Sequence, residues 1–180
     1  MDFNELITKR FSVRRYKNLP VEMEKIEICI EAARLAPSAS NSQPWKFIVV
    51  NDPELKEKVA NETYNSLVSF NKFVHQAPVI IAIILEKPKL ITQIGKKIKN
   101  KEWPLIDIGI AAEHFCLQAA EIGLGTCMLG WYNEKEIKKL LSIPSSLTIA
   151  LLISLGYPEK EIAPEKKRKS RMEILSYNGY

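Results

Sequence analysis

The chain has 180 residues, of which 46% are hydrophobic, 26% charged and only 7 glycine, a composition for one compact domain over residues 1–180 with its own core. It is too apolar for a disordered chain and too charged for a membrane-embedded one. Lys and Arg number 26 against 21 Asp and Glu, a net charge of +5, so an anionic partner is expected: nucleic acid, an acidic membrane surface or a phosphorylated small molecule.

Asp2 with Glu5 reads as a capping box opening a short first helix, with Leu6 and Ile7 as its buried residues. An arginine-dense segment, residues 9–16, follows. A second helix is expected over residues 21–36, where Ile26, Cys29, Ile30 and Ala33 recur at helical spacing. Pro37 ends it, and residues 38–44 form a polar loop. Residues 45–50 are rich in β-formers and read as a strand. Asp52 caps the next helix with Pro53 at its first position, and another helical stretch after it is expected to reach Phe73.

Residues 79–85 are a continuous apolar run, the pattern of a strand buried on both faces. Residues 87–101 are lysine-rich and read as a mobile, solvated surface segment. Residues 105–122 form the longest expected helix, closed by Gly123. It is apolar around most of its circumference and therefore needs cover on both sides, which points to a partner subunit. Asp107, Glu113, His114, Gln118 and Glu121 exclude a membrane span there. A strand over 126–131, a helix capped by Asn133 and Glu136, and an apolar strand over 147–155 follow. The chain closes with a basic run, residues 166–171, and a final strand expected at 172–177. The order gives an α/β or α+β domain with a central sheet flanked by helices.

Cys29, Cys116 and Cys127 cannot make a disulfide framework, lack Cys-x-x-Cys spacing and read as core. The N-terminus has no signal-peptide pattern, so a reducing, cytoplasmic location is expected. There is no Gly-x-Gly-x-x-Gly or Walker-type loop, no nucleophile elbow, and no ligand partner at metal spacing for His75 or His114, so no metal is expected.

Chemistry could sit in four segments. In an extended 10–16 segment, Arg10, Ser12 and Arg14 share one side, two guanidinium groups and a hydroxyl suited to a phosphate; the alternative is a solvated basic turn. Residues 36–45 put hydroxyls and carboxamides between prolines, either a ligand loop or an ordinary connection. In residues 123–131, Gly123 is explained by a helix cap, whereas Gly130 suggests close approach by a ligand or another backbone. Lys169 and Arg171, two apart, would share a face of an extended tail, or belong to a plain basic patch. The aromatic residues are not interleaved with the lysines as stacking platforms, which argues against nucleic acid.

Together these stretches resemble the flavin-dependent nitroreductase family: Arg10-Phe11-Ser12-Val13-Arg14, then Ala33-Arg34-Leu35-Ala36-Pro37-Ser38 through Gln43-Pro44-Trp45, then Ala119-Ala120-Glu121-Ile122-Gly123-Leu124-Gly125-Thr126-Cys127, then Leu155-Gly156-Tyr157-Pro158 and Lys169-Ser170-Arg171. The resemblance implies an α+β fold with a mixed or antiparallel central sheet flanked by helices, working as an intertwined homodimer. It implies FMN at the dimer interface, reduced by NADH or NADPH, and a small-molecule acceptor such as a nitroaromatic or quinone, with no nucleic acid and no membrane as partner. By that resemblance Arg10, Ser12, Lys169 and Arg171 hold the phosphate, and Arg14 lies near the ribityl chain and pyrimidine edge. Pro37, Ser38, Ala39 and Asn41 form the loop that the other subunit lays on the flavin. Met128, Leu129, Gly130 and Trp131 lie beside the ring, with the Gly130 N–H near flavin N5. No catalytic side chain is implied, because the flavin carries the chemistry. Asn71 and Lys72 are both candidates for a further polar residue of the family, Phe11 and Ala39 depart from its usual residues, and residues 87–103 match no motif. A non-catalytic or specialised flavin-binding protein on the same fold is the alternative.

Overall fold

The computed structural model describes residues 1–86, 102–160 and 162–180. The expectation made for residues 87–101 lies outside them.

Helix α1 (Phe3–Lys9) starts at the expected capping box, in which Asp2 accepts the Glu5 N–H and Glu5 accepts that of Asp2. It buries nothing fully: Leu6 is half-buried and Ile7 is 40% exposed. The expected burial of this pair is therefore corrected, because α1 lies on the outside of a later helix rather than in the core. Helix α2 (Met23–Arg34) buries Ile26, Cys29 and Ala33, the stripe that its spacing predicts.

Strand β1 (Trp45–Val50) leads through the Asp52 cap into α3 (Pro53–Asn61). The helix ends there, and the further helical stretch expected to reach Phe73 does not form over residues 62–71. The Thr63 hydroxyl donates to the Ala60 carbonyl, and the Asn65 side chain accepts the N–H groups of Leu67 and Val68, local bonds that compete with helix. A short 3-10 helix (Lys72–Gln76) then enters β2 (Val79–Leu85). The long helix α4 (Trp103–Glu121) is followed by β3 (Gly125–Leu129), α5 (Glu134–Leu140) and β4 (Thr148–Gly156). The expected last strand is instead a four-residue helix, α6 (Arg171–Ile174), because Ser170 and Glu173 form a capping box.

The sheet order is β1-β2-β4-β3, and every neighbouring pair is antiparallel. One face packs on α2 and α4 through Ile81, Ile83, Ile153 and Leu155, which meet Phe115, Ala112 and Ile26. The other carries Ile80, Ala82, Ile84 and Leu152 against Val59 of α3 and Ile137 of α5. Cover on both faces explains why β2 is apolar at every position, although such runs are commoner in parallel sheets. The fold is α+β, a helix-covered antiparallel sheet.

Candidate functional site

Residues 10–16 lie against the start of β3. Ser12 bridges Thr126 in parallel direction, and the Val13 N–H donates to the Thr126 carbonyl at 2.9 Å. That direction carries Arg14 towards Met128. Val13 and Tyr16 face inward and are buried, while Ser12 and Arg14 are exposed. The Tyr16 hydroxyl donates to the Val13 carbonyl at 2.9 Å and meets the Ser154 hydroxyl at 2.8 Å, pinning the far end of the segment to β4. The alternation expected from an extended chain is therefore present.

The close approach expected of a strand glycine falls at Gly125. A Cβ there would lie 2.5 Å from Cγ2 of Val13. At Gly130, just past the end of β3, a Cβ would meet open space. Nothing among the described residues requires glycine at 130.

Arg10 pairs through Nε with Glu113 of α4 at 3.3 Å. Its two terminal nitrogens make no hydrogen bond among the described residues. Lys166 reaches back from the tail and donates to the carbonyls of Ile7 and Arg10, each at 2.5 Å. Burial lowers its pKa, and the positive charges of Arg10 and Arg168 lower it further. Burial pushes the Cys127 thiol up, opposed by Arg14, the Ser12 hydroxyl and Arg10, so both guanidinium groups act on one point of β3. A cavity of about 630 Å³ opens beside Arg10, lined also by Lys9, Phe11, Lys17, Gly125 and Thr126.

The other end of the strip is built by the segment before β2. Asn71 is buried, and its side-chain amide donates to the Trp131 carbonyl at 3.1 Å. Lys72 points elsewhere, with Nζ 5.8 Å from the centre of the Tyr64 ring. The guanidinium carbon of Arg14 stands 6.0 Å from the centre of the Phe73 ring. Met128 is 37% exposed, Leu129 is buried, Gly130 is exposed and Trp131 is half-buried.

The chain thus brings Arg10, Ser12 and Arg14 to the strand that ends in Met128, Leu129, Gly130 and Trp131. Of Pro37, Ser38, Ala39 and Asn41, Ala39 is tied to α4 through its backbone. The Ala39 N–H donates to Asp107 Oδ1 at 3.0 Å, six residues before Glu113 on the same helix, ~9 Å along its axis. Lys169 and Arg171 lie exposed in the tail. Lys166, Phe73 and Glu113 escaped sequence reasoning. A run of basic residues does not say which one turns inward, and a lone Phe or Glu carries no pattern.

Among the described residues no group of His, Cys, Asp and Glu could hold a metal ion, and no helix is long and apolar enough to cross a membrane. Residues 7–157 match the Nitroreductase family. The chain belongs to that family. An NADH dehydrogenase/NAD(P)H nitroreductase of Archaeoglobus fulgidus is 34% identical over 161 residues, 87% of this chain and 86% of that protein. Iodotyrosine deiodinase 1 of Rattus norvegicus is 30% identical over 197 residues, 97% of this chain and 68% of that protein. The solved FMN-dependent nitroreductase of Clostridium difficile R20291 is 29% identical, with a TM-score of 0.76, over 97% of this chain and 98% of that one.

The strip of this nitroreductase-family chain suits FMN. Arg10, paired with Glu113 through Nε, offers its two terminal nitrogens to a phosphate beside an ammonium crowded by other cations. The space over Gly130 admits a flat ring close to backbone.

Proposed function

We propose that this protein is an FMN-dependent oxidoreductase that uses NADH or NADPH to reduce an electron-poor acceptor such as a nitroaromatic or quinone. The observation that carries the reading is the Arg10 fork, open beside Lys166 and in line with Ser12 and Arg14 along β3. FMN held there would supply the hydride-transfer chemistry between nicotinamide and acceptor.

The chain's own residues bind, orient and shield. Arg10 and Ser12 hold the phosphate, with Lys166 as the nearest tail cation and Lys169 and Arg171 joining from the exposed part of the tail. Arg14, steadied by the Phe73 ring, puts positive charge at the pyrimidine edge. Met128, Leu129, Gly130 and Trp131 form the floor, and the Asn71 bond to the Trp131 carbonyl fixes where that floor turns. Pro37, Ser38, Ala39 and Asn41 act from a second copy, since their own chain ties them along α4 towards Asp107.

The same placement supports a homodimer. Leu105 and Ile106 of α4 are about half exposed, at 48% and 50%, and Met172, Ile174 and Tyr177 stand in solvent on the tail. Two copies that cover these surfaces and exchange tails make the intertwined unit that the site needs.

Steady-state oxidation of NADH or NADPH by the FMN-loaded protein, with a quinone or nitroaromatic, tests the reading. Turnover that requires both the acceptor and FMN supports it. FMN binding without turnover supports a non-catalytic flavin protein. The likeness to an iodotyrosine deiodinase over 97% of the chain favours one second reading, reductive dehalogenation on the same flavin, and iodide release from iodotyrosine separates the two.

A further inference from the structure

The loop between α2 and β1 is strained. Ser40, Asn41 and Gln43 have φ of +54°, +50° and +47°, three non-glycine residues in the left-handed region within four positions. Such backbone is sparsely populated and persists only where its surroundings hold it. Part of the hold is internal. The Gln43 N–H donates to the Ser38 hydroxyl at 3.0 Å, and the Gln43 side-chain amide donates to Asn41 Oδ1 at 2.8 Å. These bonds shape the loop but do not fasten it to the body of the protein. The bond from the Ala39 N–H to Asp107 Oδ1, at 3.0 Å, does.

Asp107 is an unusual neighbour for it. It is 3% exposed and shares the inward face of α4 with Ile108, Ala111, Ala112 and Phe115. Its second oxygen, Oδ2, is buried and has no hydrogen-bond partner. A buried carboxylate half-satisfied in this way is unfavourable beside an apolar side chain of similar size. Packing of α4 therefore gives no reason for an aspartate here; the Ala39 N–H gives one.

We propose that Asp107 is a positioning residue, whose carboxylate, planted in α4, holds the loop of Ser38, Ala39 and Asn41 in the strained shape in which it meets the flavin. The inference rests on the reading of the site as an FMN site. It adds how the loop, which belongs to one subunit, is aimed at the cofactor of the other: the helix that builds the subunit interface also carries the acceptor that sets the loop.

The test compares Asp107→Leu and Asp107→Asn in the full chain. Leucine keeps the volume and removes the acceptor; asparagine keeps an oxygen for the Ala39 N–H. Three readouts are taken: the melting temperature of the flavin-free protein, the dissociation constant of FMN, and the visible circular dichroism of bound FMN, which reports the ring's surroundings. Asp107→Leu is expected to melt no lower than the wild type, to bind FMN about tenfold more weakly, and to change the dichroism, as for one lost hydrogen bond acting through the loop. Asp107→Asn is expected to restore both flavin signals.

Ala39→Pro removes the same bond from the donor side. Ser38 is already extended, with φ −146° and ψ 153°, as a residue before proline must be. This variant is expected to reproduce the flavin signals of Asp107→Leu, and it serves as the test should the leucine variant not fold. Wild-type affinity and dichroism in Asp107→Leu, or in Ala39→Pro where the leucine variant does not fold, would overturn the inference and leave the flavin reading standing. A loss in Asp107→Asn equal to that in Asp107→Leu would overturn it as well, since charge rather than the acceptor would then matter. A wild-type protein that binds no FMN overturns the flavin reading and this inference with it.

Discussion

Val13 and Gly125 are in contact so close that no side chain fits between them: a Cβ on Gly125 would lie 2.5 Å from Val13 Cγ2 and 2.9 Å from Val13 Cβ. The contact seats the arginine-bearing segment on β3, where the Val13 N–H reaches the Thr126 carbonyl. Gly125→Ala must push that segment away or distort the strand. It is expected to lower stability by about 1–3 kcal/mol in chemical denaturation. FMN affinity should fall as well, because Arg10, Ser12 and Arg14 ride on the displaced segment.

Gly130→Ala gives the opposite pattern. A Cβ there meets open space, so the denaturation midpoint should match the wild type. FMN affinity should still drop, because the methyl group occupies the space assigned to the ring. Unchanged affinity measured by fluorescence titration would take Gly130 out of the site.

Arg10→Ala removes the open guanidinium fork and is expected to weaken FMN binding by about 1.5–3 kcal/mol, with the fold retained. Isothermal titration checks this. Lys166→Met, Lys169→Met and Arg171→Met, measured alongside, sort the tail cations. Lys166 already stands at Arg10, so its loss should weaken FMN with or without dimer exchange of the tail, whereas truncation after residue 168 should weaken FMN by as much as Lys169→Met and Arg171→Met combined.

The Glu57 carboxyl is held below its ordinary pKa, first by the Lys56 ammonium bonded to it and further by His75, against the opposing effect of burial. A carboxyl lowered on folding adds stability that is present above its unfolded value, about 4.3, and that disappears as the pH falls through the folded value. Chemical denaturation between pH 6 and pH 3 should show stability falling at the acid end. Glu57→Gln should lessen that fall.

Burial pushes the thiols of Cys29 and Cys116 to about 12. Thiolate is the reactive form. A disulfide-exchange reagent at pH 8 should therefore label neither cysteine in the native protein, and should label both on unfolding.

Much of this was readable from residue pattern. The apolar run of β2 announces a strand covered on both faces, and the Asp2 and Asp52 caps place two helix starts to the residue. The alternation around Val13 puts Ser12 and Arg14 in solvent, next to the half-buried Arg10. What was not readable depends on local competition or on distance in sequence. The stop of α3 near Asn61 turns on side-chain bonds of Thr63 and Asn65 that periodicity does not register. The tail contains β-formers, yet its capping box makes one turn of helix. Asn71 and Lys72 are adjacent and equally polar, and only the fold shows that Asn71 turns inward to Trp131. Asp107 meets Ala39 across 68 residues, and no spacing rule joins them.

The central claim is that the strip from Arg10 to Trp131 holds FMN and presents it to NADH or NADPH. The most direct measurement is the absorbance of the purified protein, titrated with FMN and then with NADH or NADPH without oxygen. The account predicts saturable FMN binding, tighter than that of Arg10→Ala, and bleaching of the flavin band by the nicotinamide. A protein that stays colourless, takes up no FMN and leaves its band unbleached would contradict it.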